Sequence, residues 1–128
     1  MSKKFTLIPL VAALFSGSLF AAVEPVTLED LPLLKQESQH GTASKRVANL
    51  FTRSHYTPVR FNDELSSKVF DRYIESLDFN KSVFLKSDVD SFEQYRNRFD
   101  NALLSGQLGF TFDIFNLSLK RRFERYEF

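Results

Sequence analysis

The chain has 128 residues, 15 of them Phe and 4 Tyr, with no Trp and only 4 Gly and 4 Pro. So much bulky apolar surface with so few turn residues excludes a disordered chain or a fold of many short strands, and the length allows one domain. The 17 Lys and Arg balance 16 Asp and Glu, which gives no global pull toward nucleic acid or anionic membrane; the absence of Cys excludes disulfides, thiolate metal sites, a cysteine nucleophile and lipoprotein anchoring.

Residues 1–21 read as a cleavable secretory signal peptide. Lys3 and Lys4 supply a positive start, Leu7 to Phe15 is an unbroken apolar run, and Ser16-Gly17-Ser18 precedes a small residue, Ala21, at the cut. An uncleaved anchor would need ~20 predominantly apolar residues, and Pro9 and the Ser-Gly-Ser break interrupt the stretch from Phe5 to Val23. The mature protein is therefore expected outside the cytoplasm and free of the membrane.

Residues 22–41 form an extended lead-in, since Pro25 and Pro32 disfavour a helix there and Gln39 with Gly41 suggests a turn. Residues 42–128 are expected to be all-α, with about four helices. The first runs from Thr42 or Ser44 to Arg53, turns Val47, Leu50 and Phe51 to the core, and stops before Pro58. The second is capped by Asn62, carries Asp63 and Glu64 in its first turn, and buries Leu65, Val69, Phe70, Tyr73, Ile74 and Leu77. The connector Asp78 to Lys86 contains Phe79, Val83, Phe84 and Leu85, too apolar a set for a solvated loop. The third helix starts at Ser87 with Asp90 three residues on, presents Val89, Phe92, Tyr95, Phe99 and Leu103, and ends at Ser105-Gly106. The fourth begins near Leu108 and has two apolar stripes, one of Phe112, Phe115, Leu119, Phe123 and Tyr126, the other of Phe110, Ile114 and Leu117. Its pattern is still in phase at Phe128, so the sequence reads as cut in mid-helix.

Residues able to do chemistry are sparse. Glu37 and His40 have a ligand-like spacing, but no further His or Cys completes a metal site, and a loop histidine in solvent is the plainer reading. His55 lies beside Ser54 with no third group or glycine-rich oxyanion hole, so a side-chain-bonded turn is preferred over a nucleophile. Asp88, Asp90 and Glu93 gather where helix capping already accounts for them. Asn80 and Asn116 fit the glycosylation pattern, which is too common to carry weight. Lys120-Arg121-Arg122 with Arg125 is the one dense basic patch; Glu124 and Glu127 interleave with it, and a solvated helix face is the preferred account. No catalytic, cofactor-binding or metal residue is assigned, and no cofactor is expected.

Several segments in order nevertheless resemble a known family. These are Leu33 to His40, Phe51-Thr52-Arg53-Ser54-His55-Tyr56, Val69-Phe70-Asp71-Arg72-Tyr73, Leu85-Lys86-Ser87-Asp88-Val89, and Asn116 to Tyr126 with its run Lys120-Arg121-Arg122-Phe123-Glu124-Arg125-Tyr126. Together they resemble the N-terminal helical region of bacterial tail-specific proteases, the carboxy-terminal processing peptidases, over roughly Leu31 to Phe128. The resemblance implies a periplasmic serine endopeptidase with a Ser–Lys dyad and a PDZ domain, both beyond Phe128, so no catalytic residue carries over to these positions. It implies that residues 42–128 are a non-catalytic helical scaffold whose partner is the rest of the protease body, with an adaptor or protein substrates as further partners and nucleic acid not among them. The competing reading is a free-standing exported helical binding or adaptor module.

Overall fold

A computed structural model describes residues 25–54, 56–57 and 59–127. The expected signal peptide, His55, Pro58 and Phe128 lie outside the described residues. Those described form five α-helices and two short 3-10 turns with no strand. The helices are α1 (Ser38–Arg53), α2 (Asp63–Leu77), α3 (Lys86–Phe92), α4 (Phe99–Ser105) and α5 (Gly109–Tyr126), and the 3-10 turns are Leu28–Asp30 and Glu93–Tyr95. The all-α expectation holds, with five helices in place of about four.

The extra helix comes from a break inside the expected third one. Ser66, fully buried on α2, donates its hydroxyl to the Arg96 carbonyl at 2.7 Å and accepts the Phe99 N–H at 2.8 Å. One side chain thus satisfies a carbonyl and an amide that the interrupted helix leaves without intrahelical partners. The break lets Phe92, Tyr95 and Phe99 all reach the core from a chain that changes direction. The start also differs by two residues. Leu85 is the N-cap, and Asp88 rather than Asp90 reaches back, accepting the Leu85 N–H at 3.0 Å.

Core formation follows the aromatic pattern. Phe70, Leu77, Phe92, Phe99 and Ile114 form the buried cluster, with Phe70 only 2% and Ile114 1% exposed. Phe99 meets Phe70 and Phe110 edge-on at 6.2 and 5.0 Å, while Tyr95 stacks on Phe110 at 4.9 Å. Edge-on and offset contacts of this kind add to the burial of each ring. The Tyr73 hydroxyl donates to the Thr111 carbonyl at 2.6 Å and links α2 to α5, and burial pushes its pKa up to about 12. In the connector after α2, Phe84 packs edge-on against Phe92, as an apolar loop over the core requires, but Phe79 and Leu85 point outward. Asn62 caps α2 through a 3.0 Å bond from the Leu65 N–H, as its sequence position predicts.

α1 departs furthest from expectation. It begins at Ser38, so residues 38–41 are helical instead of a turn within the lead-in. Its buried residues are Gly41, Ser44 and Ala48, which pack on α4, while Val47, Leu50 and Phe51 are exposed. The physical reason is the distance between backbones. A Cβ on Gly41 would stand 2.7 Å from the Gly106 carbonyl oxygen, and one on Gly106 would stand 2.6 Å from that of Gly41. Gly106 also closes α4 in the left-handed region, at φ 74°, where glycine is favoured. The Ser44 hydroxyl donates to the Leu103 carbonyl at 2.8 Å across the same seam.

Two carboxamides secure the lead-in. Asn116 on α5 accepts the Leu34 N–H at 3.0 Å and donates to the Leu34 carbonyl at 2.8 Å. Gln36 donates to the Gly106 carbonyl at 2.5 Å and accepts the Leu108 N–H at 2.6 Å, bridging the turn between α4 and α5. Each carboxamide meets one donor and one acceptor on the backbone, so both of its ends are engaged.

Candidate functional site

The arginines of the basic patch of α5 all bond within the molecule. Arg121 grips Asp88 through two bonds, Nε to Oδ2 at 2.8 Å and Nη2 to Oδ1 at 2.9 Å, and its remaining arm reaches Glu124 at 2.8 Å. Arg122 donates to the Leu77 carbonyl at the end of α2, and Arg125 donates to the Ser82 carbonyl in the connector. Lys120 makes only a loose contact, to Glu124 at 3.9 Å. The face is solvated at Lys120, Arg122 and Arg125, as expected, and its arginines in addition fasten the segment between α2 and α3. A sequence reading finds the charges but not their partners, which lie 33 to 45 positions away.

Electrostatics in the latch follow from that geometry. The Arg121 guanidinium, aided by the Leu85 N–H, holds the Asp88 carboxyl below its usual range against the opposing effect of burial. Burial pulls the Asp78 carboxyl upward, but N–H bonds from Phe84, Ser82 and Val83 and the Arg122 charge outweigh it and leave the group lowered. Those amides wrap a loop in which Lys81 takes φ 51°, an uncommon conformation for a residue with a side chain. Arg121 is correspondingly raised by its bonds to Asp88 and Glu124.

The other sequence candidates separate cleanly. Glu37 and His40 do meet, but as backbone to ring: the Glu37 N–H donates to His40 Nδ1 at 3.0 Å. His40 is a half-buried helical residue with its ring 5.3 Å from that of Phe112, not a loop histidine in solvent. Among the described residues no group of three His, Cys, Asp or Glu could hold a metal ion. Asp90 pairs with Lys86 at 2.9 Å and Glu93 with Arg96 at 2.6 Å, so Asp88, Asp90 and Glu93 each serve a local contact. Asn80 sits exposed in the connector turn, while the Asn116 carboxamide is taken up by Leu34.

The remaining feature is an apolar groove between α1 and α2. Val47, Ala48 and Phe51 of α1, Val59 and Phe61 of the following loop, Leu65 and Val69 of α2, and Leu103 of α4 enclose about 280 Å³. Val47 is 50% and Leu50 61% exposed, because the small-residue seam with α4 takes the opposite side of the helix. The residues that line it carry no charge. From Ser38 to Arg60 the sequence contains Lys45, Arg46, Arg53 and Arg60 and no acidic residue. None of these four enters an ion pair among the described residues. Reading Val47, Leu50 and Phe51 as core hid this site.

Comparison with known proteins adds family information to this geometry. Residues 47–128 match the family described as "Tail specific protease N-terminal domain". Over 99 residues the chain is 43% identical to the tail-specific protease of Haemophilus influenzae, covering 77% of this chain and 14% of that protein. The chain thus spans a minor part of the length of that relative.

Proposed function

The chain belongs to the tail-specific protease family through its N-terminal domain, and from that premise we propose that it is the non-catalytic helical scaffold of an exported, periplasmic serine endopeptidase. The observation that carries this reading is the match of residues 47–128 to the N-terminal domain of the family. The fate of Asp88, Glu93, Arg96 and Arg121 supports it, since these side chains are spent on capping and latching. The buried aromatic cluster gives the domain a rigid body. Its partner is the remainder of the protease, whose serine chemistry lies outside these residues. Export rests on the signal-like segment 1–21.

The test is incubation of the purified chain with unfolded proteins that end in apolar residues. No cleavage is expected. Cleavage that disappears when a residue of this chain is replaced would overturn the scaffold reading. Sequencing the N-terminus of the exported product checks the location separately: it should begin at Ala22 or close by, and a product still starting at Met1 would remove the case for a cleaved signal.

A further inference from the structure

A second groove, of about 690 Å³, runs between α2 and the chain that leads through the connector into α3. Its floor is apolar: Phe70 is buried there, and Ile74, Phe84 and Val89 are half-buried. Its walls are acidic and exposed, with Asp71 and Glu75 on α2 and Asp90 and Glu93 on the opposite side. With Asp78, Lys81, Lys86 and Arg96 included, the lining holds five carboxylates and three cations. The whole chain carries +1, so this acidic excess is local to the groove.

Arg96 demonstrates what such a lining holds. Its guanidinium lies 4.5 Å over the Phe70 ring and meets Asp71 at 2.7 Å and Glu93 at 2.6 Å, so one ring and two carboxylates clasp one cation. Lys86 takes Asp90 at 2.9 Å, the connector amides take Asp78, and Lys81 stands at the rim. Ring and carboxylate come together again at the connector end. There Phe79 is 78% exposed, and it lines this groove and the adjoining hollow together with Glu75. The ion pair of Glu75 is with Arg72 at 3.7 Å, an exposed contact of the kind that contributes little. We propose that this groove docks a basic amphipathic helix of a protein partner, its apolar side chains over Ile74, Phe84 and Val89 and an arginine on Phe79 and Glu75. A cleft between helices is the shape into which an amphipathic helix lays its apolar face, and a local acidic excess selects a cationic border for that face. A small free cation would leave the apolar floor unused. The inference goes beyond the scaffold reading and does not depend on it.

Fluorescence anisotropy on the intact chain tests it, with a labelled synthetic helix carrying leucine on one face and arginine beside it, and a twin with glutamate for arginine. The arginine helix should bind about tenfold or more tighter than the glutamate twin, and added salt should weaken it. Phe79→Ala and, separately, Glu75→Lys should each weaken the arginine helix about tenfold. Asp113→Lys on α5 makes the same change of charge outside the groove and should leave the affinity unchanged. All three altered positions are exposed, and circular dichroism confirms that each variant keeps its helix content. Equal affinity for the two helices, no binding of either, or full binding in the double variant Glu75→Lys with Phe79→Ala would overturn the proposal. So would an equal loss in Asp113→Lys, which would make the attraction one of overall charge. Spermine that displaces the arginine helix as well as unlabelled helix does would give the groove to free cations and overturn it too.

Discussion

Around α2 and α5 the backbones are held apart by aromatic rings, whereas α1 and α4 approach so closely that a Cβ at Gly41 or Gly106 would stand within about 3 Å of the opposite backbone. Both arrangements exclude water, but they place large side chains differently. Where rings fill the space, Phe70, Phe99 and Ile114 point inward and the helix exteriors are polar or charged. Where the seam is made of glycine, serine and alanine, nothing large fits inside, and Val47 and Leu50 are turned outward. One region is a stability element; the other combines a tight joint with an exposed apolar face.

The largest expected effect lies in the ring-filled region. Phe70→Ala should lower stability by about 3–5 kcal/mol, because it removes a ring that touches Phe99 edge-on and lies under the Arg96 guanidinium. Since single domains are stable by only about 5–15 kcal/mol, that loss should appear as a large drop in the urea midpoint. An unchanged midpoint would mean that the aromatic cluster does not hold the domain together.

The seam should respond to enlargement instead of truncation. Gly41→Ala gains up to ~1 kcal/mol of helix propensity, but its Cβ would meet the Gly106 carbonyl oxygen at 2.7 Å. Overpacking of this kind costs about 1–3 kcal/mol, so net destabilisation is expected in a thermal melt. A stabilised variant would show that α1 can slide away from α4 without loss, and the contrast between the two regions would fail.

These two substitutions also mark what the sequence makes legible. Phe70 was readable as core because apolar residues recur at helical spacing along α2, and Asn62 because a cap needs only its own next few amides. The α1 seam was not, because glycine, serine and alanine carry no hydropathy signal and the apolar periodicity of Val47, Leu50 and Phe51 points to the wrong face. Nor was the break at residues 93–98, where no glycine or proline interrupts the pattern and the cause, Ser66, lies some 30 positions earlier. The same separation hid the partners of Arg121, Arg122 and Arg125. Local grammar was visible; long-range hydrogen bonds and backbone proximity were not.

The latch that ties α5 to the segment between α2 and α3 gives a pH dependence. Asp78 and Asp88 both titrate below their usual range in the folded protein, so each adds stability that is fully present above the unfolded carboxylate range. That contribution is lost as pH falls through the lowered folded values. Unfolding followed from neutral pH down to strong acid should therefore show declining stability below about pH 4. In Asp88→Asn the decline should be shallower and the neutral-pH stability lower by about 1–3 kcal/mol, since a charge-assisted pair with Arg121 is gone. An acid slope identical to that of the unaltered chain would detach Asp88 from the latch.

The smallest effect is the most discriminating. Leu50 is 61% exposed on the outer side of α1, and Gly41, Ser44 and Ala48 already occupy the side against α4. Leu50→Ser therefore removes little buried area, and serine is only slightly worse than leucine in a helix. Exposed substitutions of this kind stay within about 0.5 kcal/mol, so the melting curve should nearly overlay that of the unaltered chain. Apolar periodicity alone would make Leu50 a core residue, and truncating a buried leucine side chain costs about 2–5 kcal/mol. The two accounts differ by several times the error of the measurement. A large loss on Leu50→Ser would return α1 to an inward-facing stripe and remove the exposed face. Overlaid curves would leave Leu50 available for a role other than stability.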